Sequence, residues 1–247
     1  VIQFNNIRRI LSHGRKAVED YGMIAEGDRI AVGLSGGKDS IALLCMLYNM
    51  RLFYPKRYEL CAVTVDMGFG IDFEPLIKFC AELEIEYKII PTQLAKLIFE
   101  TRKESNPCSL CSRMRRGILH DAVVAMNCNK IALGHHFDDA VETFMLNLFN
   151  EGRIGAFSPV TYLSRKNITM IRPLIYVREK EIRYFINRNP PLPLIKNPCP
   201  EDENTERENM KVMLDKLERE NKGLKHRIFG AMQKANVDGF GMMDNSN

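Results

Sequence analysis

The sequence predicts an α/β fold: a parallel, twisted sheet with helices on both faces, an N-terminal helix before it and a helical extension after it. Three observations carry this. Short apolar runs of strand length alternate with longer segments of helical periodicity through most of the 247 residues. The first such run ends in a Gly-Gly turn that opens a helix, as a parallel crossover unit requires. Asp66 and the turn Gly134-His135-His136 also follow strands. Polar residues therefore collect at the carboxyl edge of the sheet, where ligands of such folds sit.

Each element has its own signal. Residues 5–21 set Ile7, Ile10, Leu11, Val18 and Tyr21 near one helical face, and Gly22 and Gly27 close the segment. Residues 29–34 are a buried strand and 40–49 a buried helix. A second strand is expected over 59–66, a helix over 73–83, a short strand over 87–90 and a helical stretch over 92–100. Ser105-Asn106-Pro107 breaks that stretch. A helix over 112–126, a strand over 130–133 and a helix over 138–149 follow. Beyond Gly152 the expectations are a last strand over 171–175, a helix over 178–188 and a proline-rich stop at 189–193. In the charged segment 201–221 and just beyond it, Met210, Met213, Leu214, Leu217 and Leu224 form a stripe that reads as an amphipathic helix packed on the domain. The tail 239–247 is expected to be disordered. The chain thus divides into an N-terminal helical segment (1–27), a nucleotide-binding domain (28–189) and an extension (190–247).

Composition narrows the function classes. Hydrophobic residues at 45% and charged residues at 27% suit a soluble globular protein with a substantial core. The longest apolar run, 41–48, is too short to span a bilayer, and the N-terminus lacks a signal-peptide core. A cytoplasmic location and no membrane partner are expected. The net charge of +4 permits a nucleic-acid partner without demanding one. Seven cysteines, an odd number, argue against a disulfide scaffold. Cys45, Cys61, Cys80 and Cys128 fall in strand or helix patterns or at a helix end and read mostly as small core residues.

The loop Ser35-Gly36-Gly37-Lys38-Asp39-Ser40 is a phosphate cradle. Its glycines let backbone N–H groups face an anion, the helix adds its positive end, and Lys38 adds a mobile cation. It is not the Walker pattern, because Asp39 follows the lysine. A carboxylate beside a polyphosphate implies a metal between them, which makes Asp39 a Mg²⁺ contact. Downstream, Gly134-His135-His136-Phe137-Asp138-Asp139 follows a strand and opens a helix. Capping explains one of the acids, and a second carboxylate cluster facing the loop completes a Mg²⁺–nucleotide site. Spacing alone leaves open which of Asp138 and Asp139 faces inward. Cys108 and Cys111 form a CxxC at a helix start, and Cys199 sits in a proline-bounded turn. Alone, the CxxC fits a redox pair, half a zinc site or chance; with Cys199 it gives three soft ligands, suited to an iron–sulfur cluster or zinc. Arg113, Arg115 and Arg116 oppose the dipole of their helix, so an anion such as RNA phosphate is a candidate partner. Arg172, beside the same edge, is a candidate contact for nucleotide or RNA.

These stretches resemble the PP-loop ATP pyrophosphatases, whose loop reads S-G-G-x-D-S and whose sheet is HUP-like and Rossmann-like. The runs Cys108-Ser109-Leu110-Cys111-Ser112-Arg113, Gly134-His135-His136 with Asp138-Asp139, Arg172-Pro173-Leu174 and Arg178-Glu179-Lys180 are similar to the tRNA 2-thiocytidine synthetase group. The similarity runs from about Ile7 to Cys199. It implies ATP-dependent tRNA thiolation: the C2 carbonyl of a tRNA base, most simply cytidine, is adenylated and its oxygen replaced by sulfur. Carried over, Ser35, Gly36, Gly37, Lys38, Asp39, Ser40, Asp66, Gly134 and His135 bind ATP, and Lys38, Asp39, Asp138 and Asp139 are catalytic. Cys108, Cys111 and Cys199 hold a four-iron four-sulfur (4Fe-4S) cluster, and Arg113, Arg115, Arg116 and Arg172 face RNA. ATP, Mg²⁺ and the cluster are the implied cofactors. The expected partners are tRNA and a sulfur donor, either a cysteine desulfurase or free sulfide, and a homodimer is admitted. In one departure, Pro200-Glu201-Asp202-Glu203 follows Cys199 where the group commonly shows a second CxxC. Two alternatives stand beside this reading. One keeps the adenylation but uses a nitrogen or persulfide nucleophile with zinc or no metal, as in thiouridine, lysidine or amidation chemistry. The other is a nucleotide-sensing protein without catalysis.

Overall fold

In this computed structural model the described residues are 2–98, 107–196, 198–199 and 206–241, with Pro107 and Cys108 described by their backbone alone. Six strands form one sheet: β1 (Asp28–Gly33), β2 (Tyr58–Asp66), β3 (Glu86–Pro91), β4 (Lys130–Ala132), β5 (Val160–Leu163) and β6 (Ile168–Ile171). Their order is β3-β2-β1-β4-β6-β5, and every pairing is parallel except β5 with β6. β1 and β2 are buried over most of their length, as continuous apolar runs in a doubly covered sheet should be. From β1 the chain builds outward through β2 and β3. β4 then returns to the other side of β1, pairing Val32 with Ala132. The topological switch therefore lies between β1 and β4, and the Gly-Gly loop and the Gly134-His135 turn leave the sheet there.

The helices are α1 (Arg8–Asp20), α2 (Lys38–Met50), α3 (Glu74–Glu82), α4 (Pro107–Ala125), α5 (Phe137–Asn150), α6 (Glu179–Asn187), α7 (Glu206–Glu220) and α8 (Leu224–Lys234). α2 is apolar almost all round because it lies between the sheet and a cover of α1 and α6; Ile41, Leu43, Leu44, Met46 and Leu47 are fully buried. One continuous core joins Ile10 and Val18 of α1 to Phe185 of α6, Phe229 and Met232 of α8, and Phe240. The three segments read from the sequence share that core. Among the described residues no helix is long and apolar enough to cross a membrane.

Several expectations are corrected. The last parallel strand is Ile168–Ile171 and not 171–175, because Pro173 opens a turn. A hairpin partner, β5, precedes it, and the turn between them carries Asn167 at φ 51°. The helix of the CxxC begins at Pro107, so Cys108 and Cys111 lie inside its first turns. Of the stretch 92–100, residues 94–98 are helical, and Phe99 and Glu100 lie outside the described residues, as do Ser105 and Asn106. The charged segment is helical from Glu206, and 201–205 lie outside the description. Its stripe is split: Met210 and Leu214 are buried, but Gly223 at φ 81° ends the run and Leu224 starts α8. The tail is structured at its start, since Phe240 is fully buried and packs edge-on against Phe229; residues 242–247 lie outside the description.

Candidate active site

At the switch point a cleft of about 470 Å³ lies between the β1–α2 loop, the β4–α5 turn and α4. Ser35, Asp39 and Ser40 line one side, Gly134, His135 and Asp139 a second, and Cys111, Ser112, Arg115, Arg116, Leu119 and His120 the third. The α4 residues recur three and four apart, which is the spacing of a single helix face.

The loop is braced from within. Ser40 Oγ accepts from Ser35 N at 3.2 Å and donates to Gly37 O at 2.9 Å, and Ser35 Oγ accepts from Gly37 N at 3.3 Å. Gly37 is the N-cap of α2 and no side chain caps the helix, so its first N–H groups are left for an external acceptor. Two glycines are required by their surroundings. Gly36 has φ +80°, and a Cβ there would lie 2.7 Å from Ile195 Cβ. A Cβ on Gly134 would lie 3.0 Å from the Asp39 carbonyl carbon, so only glycine lets the β4–α5 turn close on the loop.

The acidic residues have distinct surroundings. Asp39 Oδ2 accepts from Lys38 Nζ at 2.9 Å, whereas its Oδ1 is buried without a hydrogen-bond partner. His136 caps α5: its Nδ1 accepts from Asp139 N at 3.3 Å, and Asp139 Oδ2 accepts from His136 N at 2.8 Å. The other ring nitrogen, Nε2, lies 3.8 Å from Asp39 Oδ1 and links the two loops. Asp139 lines the cleft and Asp138 does not. Asp138 is 4% exposed and accepts from Glu179 N at 2.8 Å, Arg178 Nε at 3.2 Å and Lys225 Nζ at 3.3 Å. Burial works to raise its pKa, but these donors outweigh it and hold the carboxyl below its usual value. Of the two acids that spacing left open, Asp139 borders the cleft, and Asp138, expected with it among the catalytic residues, is held away from it by this packing.

Other expected residues also fall off the cleft wall. Lys38 Nζ lies 3.1 Å from Glu179 Oε1, and Lys211 Nζ of α7 lies 3.0 Å from Glu179 Oε2. Against the opposing effect of burial, the two cations hold Glu179 at about 2. Asp66, at the end of β2, accepts from Gly68 N at 2.9 Å. Arg113 is exposed on α4 outside the cleft lining. Arg172 is 7% exposed, and its guanidinium donates to Ser158 O and Thr161 Oγ1 and lies 4.8 Å from the Phe157 ring centroid. Arg172, expected to contact nucleotide or RNA, is thus a buried cation outside the cleft lining. The His135 ring packs at a tilt on the same Phe157, centroids 4.9 Å apart, and burial followed by the Arg172 charge lowers its pKa.

The cysteines sort by location. Cys45, Cys61, Cys80 and Cys128 are buried in the core, and burial pushes Cys80 up to about 12. Cys111 is half-buried in the cleft wall and Cys199 is half-buried. Ile195 N donates to Gly36 O at 2.9 Å, which anchors the chain four residues before Cys199 to the phosphate loop. Four residues reach at most about 14 Å. The Cys108 side chain lies outside the described residues, and among those described no group of three His, Cys, Asp or Glu side chains is gathered around a common point. Two residues of the site were not read from the sequence. His120 looks like any residue of a helix face, and Glu179 acquires its role only from distant partners.

Residues 8–214 match the PP-loop domain family. The tRNA-cytidine(32) 2-sulfurtransferase of Geobacter sulfurreducens is 39% identical over 92% of this chain and 91% of its own length. That of Syntrophotalea carbinolica is 39% identical over 94% and 91%. Among solved structures, the U34-tRNA thiolase NcsA of Methanococcus maripaludis with its [4Fe-4S] cluster superposes with a TM-score of 0.74 at 27% identity, covering 91% of this chain and 77% of that one. A phosphate loop at the switch point, a cysteine-bearing helix across the cleft and this similarity along nearly the whole length agree: the chain belongs to the PP-loop family, within its tRNA 2-thiocytidine synthetase group.

Proposed function

We propose that this chain is an ATP-dependent tRNA sulfurtransferase that converts a tRNA cytidine to 2-thiocytidine. The single observation that carries the proposal is that Cys111 shares one cleft with Ser35, Asp39 and Ser40. The C2 oxygen of the base attacks the α-phosphorus of ATP and pyrophosphate leaves. A sulfide-level sulfur then adds to C2, and AMP departs with the former carbonyl oxygen.

The chain's own residues supply the following. The uncapped N–H groups of α2, with Ser35, Gly36, Gly37 and Ser40, hold the departing pyrophosphate, and Lys38 leaves Glu179 to neutralise it. Asp66, Gly134 and His135 bind the rest of ATP. Asp39 and Asp139 would hold Mg²⁺; the unpartnered Oδ1 of Asp39 is the oxygen such an ion fits. Cys108, Cys111 and Cys199 would hold a 4Fe-4S cluster, and the soft thiolates suit it. Held by these thiolates, such a cluster would supply a site for the incoming sulfur. Arg113, Arg115 and Arg116 draw the tRNA loop to the cleft, where an unstacked base is accessible. The sulfur comes from a cysteine desulfurase or free sulfide, and the protein works in the cytoplasm.

The test is anaerobic: reconstituted protein, unmodified tRNA, ATP, Mg²⁺ and sulfide, followed by mass spectrometry of the nucleosides. New 2-thiocytidine, lost in Cys111→Ala together with the bound iron, is the expected result. Pyrophosphate release with no sulfur incorporation, or full activity with zinc and no iron, overturns the proposal.

A further inference from the structure

Buried polar atoms nearly always find a partner, so the unpartnered ones need explanation. Four occur among the described residues: Asp39 Oδ1, His135 Nδ1, His120 Nε2 and Arg172 Nε. The nucleotide side of the cleft accounts for the first two. The other two are nitrogens on α4 and just after β6, and nothing in the ATP chemistry uses them.

Their neighbourhood is positive. His120 lies one helical turn after Arg116, and both line the cleft. Arg172 is a buried guanidinium whose nitrogens meet only neutral groups: Ser158 O, Thr161 Oγ1 and Met170 Sδ. Among the described residues no carboxylate pairs with Arg172 or with Arg116. Burial and then the charge of Arg116 act together to lower both His120 and Arg172, the latter to about 10. The acid facing His120 is Asp121, which is already paired with Lys166. A buried cation with no counter-charge is costly to a fold, and an anion in the cleft removes that cost.

We propose that Arg116 and His120, with Arg172 behind them, form a second anion subsite that binds a backbone phosphate of the tRNA next to the target base. Two features favour an RNA phosphate over those of ATP. The nucleotide's phosphates have their own cradle across the cleft, and Arg113, Arg115 and Arg116 run along α4 from solvent to His120. Cys111, at the start of the same helix face, lines the same cleft. A phosphodiester takes the His120 N–H as a neutral donor and Arg116 as a charge-assisted one. The subsite rests on the tRNA reading of the cleft.

The experiment measures two affinities on the reconstituted holoprotein, for unmodified tRNA at several salt concentrations and for Mg·ATP without tRNA. Arg116 is exposed, so Arg116→Ala leaves the fold intact, and His120→Gln keeps a donor that His120→Leu removes. Arg116→Ala and His120→Leu should each weaken tRNA binding at least about fivefold. Arg116→Ala should flatten the log–log salt dependence by about 0.7, the loss of one phosphate contact. His120→Gln should retain most of the affinity, and Mg·ATP binding should stay within about twofold. Unchanged tRNA affinity in a wild-type protein that binds tRNA overturns the subsite alone. A loss of ATP affinity in these variants assigns the anion to the nucleotide and also overturns it. A wild-type protein that does not bind tRNA overturns the functional reading together with it.

Discussion

Ile195 closes over Gly36: its N–H donates to the glycine carbonyl at 2.9 Å, and its side chain fills the space a Cβ on the glycine would need. The segment leading to Cys199 is thereby fastened to the phosphate loop, and a change at either end is transmitted to the other.

Adjacent glycines should therefore respond differently to the same added methyl. Gly36→Ala places an L-residue at φ +80° against Ile195 and should cost more than about 2 kcal/mol, with ATP affinity falling at least tenfold. Gly37 has φ −73° and meets only Ser35 Oγ, 3.5 Å from a built Cβ. Gly37→Ala should stay within about 1 kcal/mol of wild type. Urea denaturation of the two variants checks this, and equal losses would refute the account.

Glu179 between Lys38 and Lys211 makes stability depend on pH in a defined window. Its folded pKa of about 2 lies below the 4.5 expected when unfolded. The contribution is therefore fully present above pH 4.5 and disappears as pH falls through about 2. Glu179→Gln should lose on the order of 2–3 kcal/mol at pH 7 and approach wild type near pH 2. Denaturation midpoints at both pH values decide it.

Glu142 has the opposite sign. Burial, followed by the Asp139 charge, pushes this carboxyl up to about 8, while the nearest cation, Arg207 Nε, is 3.8 Å away and half exposed. The folded state holds the proton between pH 4.5 and 8, so stability contributed here falls as pH rises through that interval. Glu142→Gln should remove that slope and raise stability at pH 8.5 by about 1–3 kcal/mol. A parallel pH profile in mutant and wild type would show that the carboxyl is already ionised at neutral pH.

The last described residues should prove indispensable. Phe240 is fully buried against Phe229, and Tyr21 Oη donates to its carbonyl at 3.0 Å. Phe240→Ala should cost about 3–5 kcal/mol. A thermal shift of only a degree or two would mean that this end does not belong to the core.

Much of this was legible in the sequence, and the exceptions share a cause. β1, β2 and α2 are buried over most of their length, so their central residues form continuous apolar runs that are visible in the sequence. The phosphate loop was legible because its neighbours in space are its neighbours in the chain. β5 was not, because Val160–Leu163 is only half covered and Asn167 is its one turn signal. Nor did the stripe from Met210 to Leu224 reveal its break, which lies in the backbone conformation of Gly223. The fates of Asp138 and Glu179 were hidden because each is set by a residue distant in sequence, Lys225 and Lys38, and that of His120 because only the packing of α4 on the sheet buries it.

Asp138 and Asp139 are chemically identical neighbours within one motif, yet one tacks three helices together and the other borders the reaction chamber. Loss of either would silence an activity assay, and the assay alone would credit both with chemistry. Yield, melting temperature and protease resistance would separate them: the first mutant should arrive poorly assembled, the second intact but idle.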